Sequence, residues 1–210
     1  MRRLPIVPTL IVTAALAAMI ALGIWQLRRA EWKDGLLASY RANAGATMVY
    51  GLPLDVPVDA LAFRRAHILC RITTGATQLG GVNRQGRTGF RNIVGCGLID
   101  GRVIMADLGW SAIDARPATP QIGQRIEAEG RIIPDDVLAK RVLRATPGAT
   151  PLLLVLDRAV PGLSPSVPPS IETIPNNHRG YAGQWFLFAA VALVIYGLAL
   201  RRRWFDAKPG

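Results

Sequence analysis

His178 is one of only two histidines in the chain, and the residues that follow it have a spacing with chemical meaning. In a helix starting here, His178, Tyr181 and Trp185 fall at i, i+3 and i+7 and share one face. Imidazole, phenol and indole in that order suit a flat, largely apolar ligand that carries iron. The imidazole has a lone pair for the metal, and the rings offer faces to pack on. The same residues also suit a capped helix with an ordinary aromatic belt at a membrane boundary. In either case Asn176 or Asn177 is placed to cap the helix by accepting a backbone amide proton. The other histidine, His67, lies in an apolar run beside two arginines and reads as a hydrogen-bonded residue at a sheet edge.

The element that positions His178 is the apolar run from Gly180 to Leu200, which carries no formal charge and is closed by Arg201, Arg202 and Arg203. A second such run extends from Leu4 to Leu27. Each is close to the roughly 20 residues that cross the hydrocarbon of a bilayer. Arg2 and Arg3 with Ala15-Leu16-Ala17 imitate a cleavable signal, but the triplet lies in mid-run and the run exceeds a signal's apolar core. An uncleaved span is the reading. Pro5 and Pro8 fall in or before the first helical turn, where a missing amide proton costs little. Trp25, Tyr181, Trp185 and Tyr196 lie where interfacial aromatics belong.

Two spans put both termini on one side. The tails carry Arg2, Arg3, Arg201, Arg202, Arg203 and Lys208 against Asp206 alone, so the positive-inside rule makes them cytoplasmic and the long central loop exported. The expected organisation is a cytoplasmic tail at 1–3, a transmembrane helix at 4–27, an exported domain at 28–179, a second transmembrane helix at 180–200 and a basic cytoplasmic tail at 201–210. With Met1 so near the apolar run, a mitochondrial presequence has no room, and a bacterial plasma membrane is expected. The net charge of +11 then reflects topology and contact with anionic membrane lipid rather than nucleic acid, for which no binding motif is present. Arg64, Arg65, Arg71, Arg84, Arg87 and Arg91 lie in a stretch, 60–99, without an acid. It reads as a solvated or lipid-facing surface, or as a docking face for an acidic partner.

The loop is expected to be β-rich with a short helical insert, giving an α+β membrane protein in which two transmembrane helices flank an exported domain. Trp32, Leu36 and Tyr40 keep a helical period up to Gly45, so the first helix should continue beyond the membrane. Prolines between Thr47 and Pro57 mark a linker. Strands are predicted at 67–73, 93–99, 103–108, 125–133 and 152–156, with Asp100-Gly101-Arg102 as a hairpin turn and a helix at 135–144. Glycine-rich 80–89 reads as a flexible turn, and Pro161 to Pro175 as an extended return to the membrane.

The chain has no G-x-S-x-G elbow, P-loop or HExxH, so no enzyme activity is expected. Cys70 and Cys96 show no CxxC or zinc spacing. In an exported domain they either pair or serve as small core residues.

Gly23-Ile-Trp-Gln-Leu-Arg-Arg-Ala-Glu-Trp-Lys33 at the end of the first span, and Pro175-Asn-Asn-His-Arg-Gly-Tyr-Ala-Gly-Gln-Trp185 at the start of the second, resemble the Surfeit locus protein 1 (Surf/Shy) family. Gly89-Phe-Arg-Asn-Ile-Val94 and Asp100 to Trp110 are similar to its central strands and its Gly-Trp motif. The resemblance implies a cytochrome c oxidase assembly factor that acts on the catalytic subunit as it receives haem a, with haem a synthase as a further partner. It maps the family's candidate haem-iron ligand onto His178 and its aromatic positions onto Tyr181 and Trp185. Trp25, Gln26 and Arg28 match the first-span motif, where Arg28 or Arg29 suits either haem propionates or interfacial anchoring. Leu108 and Arg179 depart from the family pattern, which has arginine and an apolar residue there. A scaffold that stabilises the apo subunit without touching haem fits the same motifs, and a membrane-tethered enzyme is the third class.

Overall fold

The computed structural model describes residues 5–206. The expectations for Arg2, Arg3 and Lys208 lie outside them. Two compact units result. One runs from Ala38 to Thr173, and the other comprises the chain up to Leu37 and from Ile174 onward.

The second of these units is built on two long helices. Helix α1 spans Ile6–Gly45, so the period at Trp32 to Tyr40 continues the first apolar helix and ends at the expected glycine. Helix α3 spans His178–Asp206. Both are long and apolar enough to cross a membrane, and almost all of each apolar window is exposed rather than packed in protein.

They meet along a narrow seam. On α1 the covered positions are Thr9, Val12, Leu16, Met19, Gly23, Gln26 and Ala30, recurring by threes and fours; on α3 they include His178, Ala182, Trp185, Ala189, Ala192 and Tyr196. That alternation averages 3.5 residues, the period that keeps two helices facing each other. Gly23 makes room for a ring of α3: a Cβ there would stand 2.6 Å from Phe186 Cε1. Hydroxyls of Thr9 and Tyr196 hydrogen-bond near one end of the seam, and Gln26 meets His178 near the other.

The unit from Ala38 to Thr173 is a barrel. Strands β2 (Arg65–Ile72), β4 (Thr88–Gly97), β5 (Val103–Ser111), β6 (Arg125–Pro134) and β7 (Ala149–Leu156) form a ring in the order β2-β6-β7-β5-β4, closed by a β4–β2 pairing. Strand β1 (Val49–Tyr50) lies beside β2, and β3 (Thr77–Val82) beside β4. All ring pairings are antiparallel except β5–β7, as in small Greek-key barrels. Alternation explains the ring: Ile68, Cys70, Val94, Ile104, Ala106, Leu108, Ile132 and Leu154 fill the interior. Outward-facing Ile93, Met105, Leu153 and Val155 are covered by helix α2 (Asp136–Val142) through Leu138, Val142 and Leu143. Asp135 caps α2 by accepting from Leu138 N at 2.8 Å, which is why the helix starts where the sequence predicts.

The unit from Ala38 to Thr173 departs from the sequence reading in four places. Gly80 and Gly81 belong to β3 rather than to a flexible turn, and only 83–87 turn the chain. Val49 and Tyr50 form a strand within the expected linker. His67 is in β2, flanked by β1 and β6, and so is not at an edge; it bonds Glu127 Oε1 through Nε2 at 2.8 Å. The proline-rich return is strapped to the barrel, because Ser164 exchanges backbone hydrogen bonds with Trp110 and Ser166 Oγ donates to buried Asp107 Oδ1 at 3.0 Å. The Gly-Trp motif makes that strap possible. Gly109 has φ +134°, and a Cβ there would lie 2.7 Å from Ser164 O, while the Trp110 indole donates to Gly81 O at 3.3 Å. Leu108 is wholly buried in the barrel, where an apolar side chain is required.

Four of the six arginines of 60–99 are engaged by acids or backbone carbonyls. Arg65 pairs with Asp157 at 2.9 Å and Arg91 with Asp107 at 2.7 Å, while Arg64 and Arg71 donate to backbone carbonyls. Their partners lie elsewhere in the sequence, carboxylates for Arg65 and Arg91 and neutral carbonyls for Arg64 and Arg71.

Ring closure at β4–β2 rests on two residue pairs, Arg71↔Gly97 and Ile72↔Cys96. The Cys70–Cys96 disulfide spans this same seam, which settles the question the sequence left open. For a loop of that length the chain-entropy account gives about 3.5 kcal/mol. Replacing both cysteines by serine should therefore lower unfolding stability by about 3 kcal/mol, with protection lost first in β2 and β4; hydrogen exchange with and without the disulfide checks this.

Candidate functional site

His178 is the first residue of α3. Its Nδ1–H donates to Gln26 Oε1 at 2.7 Å, since an amide oxygen can only accept. In the neutral ring Nε2 then carries the lone pair, and among the described residues the ring shows no other hydrogen bond. His178 and Trp185 lie on the seam, both half-buried, and Tyr181 is 51% exposed beside them. The Trp185 ring stands edge-on to Phe188 with centroids 6.2 Å apart. A shallow concavity of about 440 Å³ lined by Asn176, Asn177, Gly180, Tyr181 and Gln184 adjoins this face.

The expected cap takes a different form. The Asn177 carbonyl accepts from Tyr181 N at 3.2 Å, whereas the Asn176 side chain turns to α1, donating to Asp34 Oδ1 at 2.8 Å. Arg179 donates to the other Asp34 oxygen at 2.9 Å. The departure at Arg179 thus has its counter-charge on α1. Asp34 lies two helical turns beyond Gln26, so one flank of α1 holds His178 and the residues on both sides of it.

Arg28 is not on that flank. Two residues beyond Gln26 is about 200° around a helix, and both Arg28 and Trp25 are exposed. Arg29 stacks over Trp32, 3.9 Å from the ring centroid, as an interfacial cation does. The structure thus brings His178 and Gln26 together, places Tyr181 and Trp185 further along α3, and leaves Arg28 on another face of α1. Gln26 and Asp34 are the partners that residue type alone does not reveal. Their signal is spacing: Gly23, Gln26, Ala30 and Asp34 are small or polar positions recurring by threes and fours.

The barrel unit has its own cleft of about 660 Å³, lined by Arg65, His67, Gln124, Glu127, Glu129 and Asp157 among others. Much of its charge is already paired, Arg65 with Glu129 and Asp157, and His67 with Glu127. Among the described residues no three His, Cys, Asp or Glu side chains gather to hold a metal ion. The chemistry therefore favours His178, where a ring nitrogen is left over, above the larger cleft.

A small closed β-barrel together with two helices long and apolar enough to cross a membrane is the class of protein the fold defines. The SURF1 family model matches residues 13–190, and the chain belongs to that family of cytochrome oxidase assembly factors. No curated protein matches the chain.

The pairing of the helices is open to direct test. Gly23→Ile should force Phe186 off the seam and reduce disulfide trapping between cysteines placed at Thr9 and Tyr196 by about tenfold, while Gly35→Ile, where nothing lies within 4 Å, should leave it unchanged.

Proposed function

We propose that this chain binds haem a transiently through His178 and assists its insertion into the catalytic subunit of a cytochrome c oxidase. The observation that carries the reading is the His178 ring: Nδ1 is occupied by Gln26, and Nε2 keeps a lone pair for iron. Bound haem a would supply the redox-active iron centre that the oxidase uses. Tyr181 and Trp185 offer aromatic surface for the apolar macrocycle, and a single protein ligand permits later exchange to a partner with better ligands. Arg28, on another flank of α1, suits lipid phosphate at the interface or the propionates of a ligand reaching around the helix.

The membrane is proposed to be the bacterial plasma membrane, with both termini cytoplasmic and the barrel exported. Arg201, Arg202 and Arg203 at the end of the apolar part of α3 support that orientation, and so does the Cys70–Cys96 disulfide, which oxidising compartments sustain. Partners by this reading are the oxidase catalytic subunit and haem a synthase, with anionic lipid around the helices.

A scaffold that holds the apo subunit without touching haem is the second reading. In its favour, a histidine bonded to Gln26 also serves as a plain clip between helices. Absorption spectra of protein purified after co-expression with haem a synthesis separate the two. Wild type should carry haem a near one equivalent, and His178→Ala should lose at least nine-tenths of it with the fold retained. A colourless wild type that still rescues oxidase assembly would establish the scaffold.

A further inference from the structure

We infer that Gln26 is the positioning residue of the His178 site: its carboxamide oxygen holds the proton on Nδ1 and makes Nε2 the nitrogen that meets a metal. The inference deepens the haem-binding reading and rests on it only for the iron itself.

Three observations carry it. First, the 2.7 Å contact is to Gln26 Oε1, an acceptor without a proton, so the shared hydrogen belongs to the imidazole. A free neutral imidazole distributes its proton between two nitrogens, and a fixed acceptor on one side removes that freedom. Second, Gln26 is itself held in place. It is half-buried on the seam face of α1, three residues after buried Gly23 and four before buried Ala30, so its side chain is directed at α3 by the helix pairing. Third, the clip formed by Asn176, Arg179 and Asp34 secures α3 on both sides of His178. With α3 held to α1 at that end, the His178 ring stays within reach of the Gln26 oxygen.

The chemical consequence follows from how histidine ligands work. Donation from Nδ1–H to an oxygen orients the ring and raises the basicity of Nε2, and losing such a partner typically costs roughly 10- to 100-fold in metal affinity. Gln26 on the first helix thereby sets how firmly a residue on the second helix holds iron.

The test uses the full chain in detergent micelles with His67→Gln, which leaves one histidine, and reads the ¹⁵N resonances of the His178 ring. The expected wild-type spectrum shows the proton on Nδ1 and a bare Nε2. Gln26→Leu should abolish that preference, whereas Gln26→Glu, which keeps an acceptor oxygen, should retain it. Titration with extracted ferric haem a should then show affinity about 10- to 100-fold weaker for Gln26→Leu and close to wild type for Gln26→Glu. A wild-type proton on Nε2, or equal haem a affinity and spectrum in wild type and Gln26→Leu, would overturn the inference. If the ring carries its proton on Nδ1 but wild type takes up no haem a, the haem reading fails while the assignment of Gln26 to the ring stands.

Discussion

Two apolar helices in hydrocarbon have no hydrophobic reason to pair, because lipid is as apolar as their side chains. What holds them is close approach at small residues and polar contacts that have no better partner. The seam between α1 and α3 uses both. Gly23, Ala30, Ala182 and Ala189 are buried along it, and polar contacts lie toward each end, Thr9 with Tyr196 and Gln26 with His178. Along α1 those contacts are about 26 Å apart by helical rise, comparable to the roughly 30 Å of hydrocarbon. His178, the first residue of α3, thus stands at one end of a seam whose length matches a bilayer's apolar layer.

The barrel solves a different problem, the exposed sheet edge in water. Five strands close into a ring, and the shortest pairing, β4 with β2, is the one spanned by the disulfide. The strap from Pro161 covers buried Asp107, whose carboxylate also accepts from Arg91 Nε and Gly109 N. A charge at that depth is tolerated because it is paired and hydrogen-bonded on each side. Gly109, with no Cβ, lets the strap approach, and so the motif that reads in sequence as a family signature acts in the fold as a fastening.

The helical spacing within the candidate site was legible in the sequence because its signals are local. The i, i+3, i+7 relation of His178, Tyr181 and Trp185 needs only a helix, and the apolar run supplies one. The part that was not legible depends on a second helix. Nothing near His178 in sequence reveals that Gln26 will meet Nδ1 or that Asp34 will take Asn176 and Arg179. Arg28 illustrates the converse: adjacency to Gln26 in a motif implies nothing about a shared face, since each residue turns a helix by about 100°. Similarly, Gly80 and Gly81 look like turn residues until β4 presents a partner strand on which they continue the ladder.

By itself the sequence determined the two apolar helices, the continuation of the first to Gly45, the hairpin at Asp100 to Arg102, the helix after Asp135 and the alternation of the barrel strands. These follow from hydrophobic period, capping and turn chemistry within a few residues. Tertiary structure alone decided that the strands close into a ring, that Cys70 and Cys96 pair, that the proline-rich return is fastened to Trp110, and that His178 is oriented by Gln26. Each of these joins groups far apart along the chain, and local propensity carries no record of such a meeting. It exists only once burial and backbone hydrogen bonding have brought the two segments together.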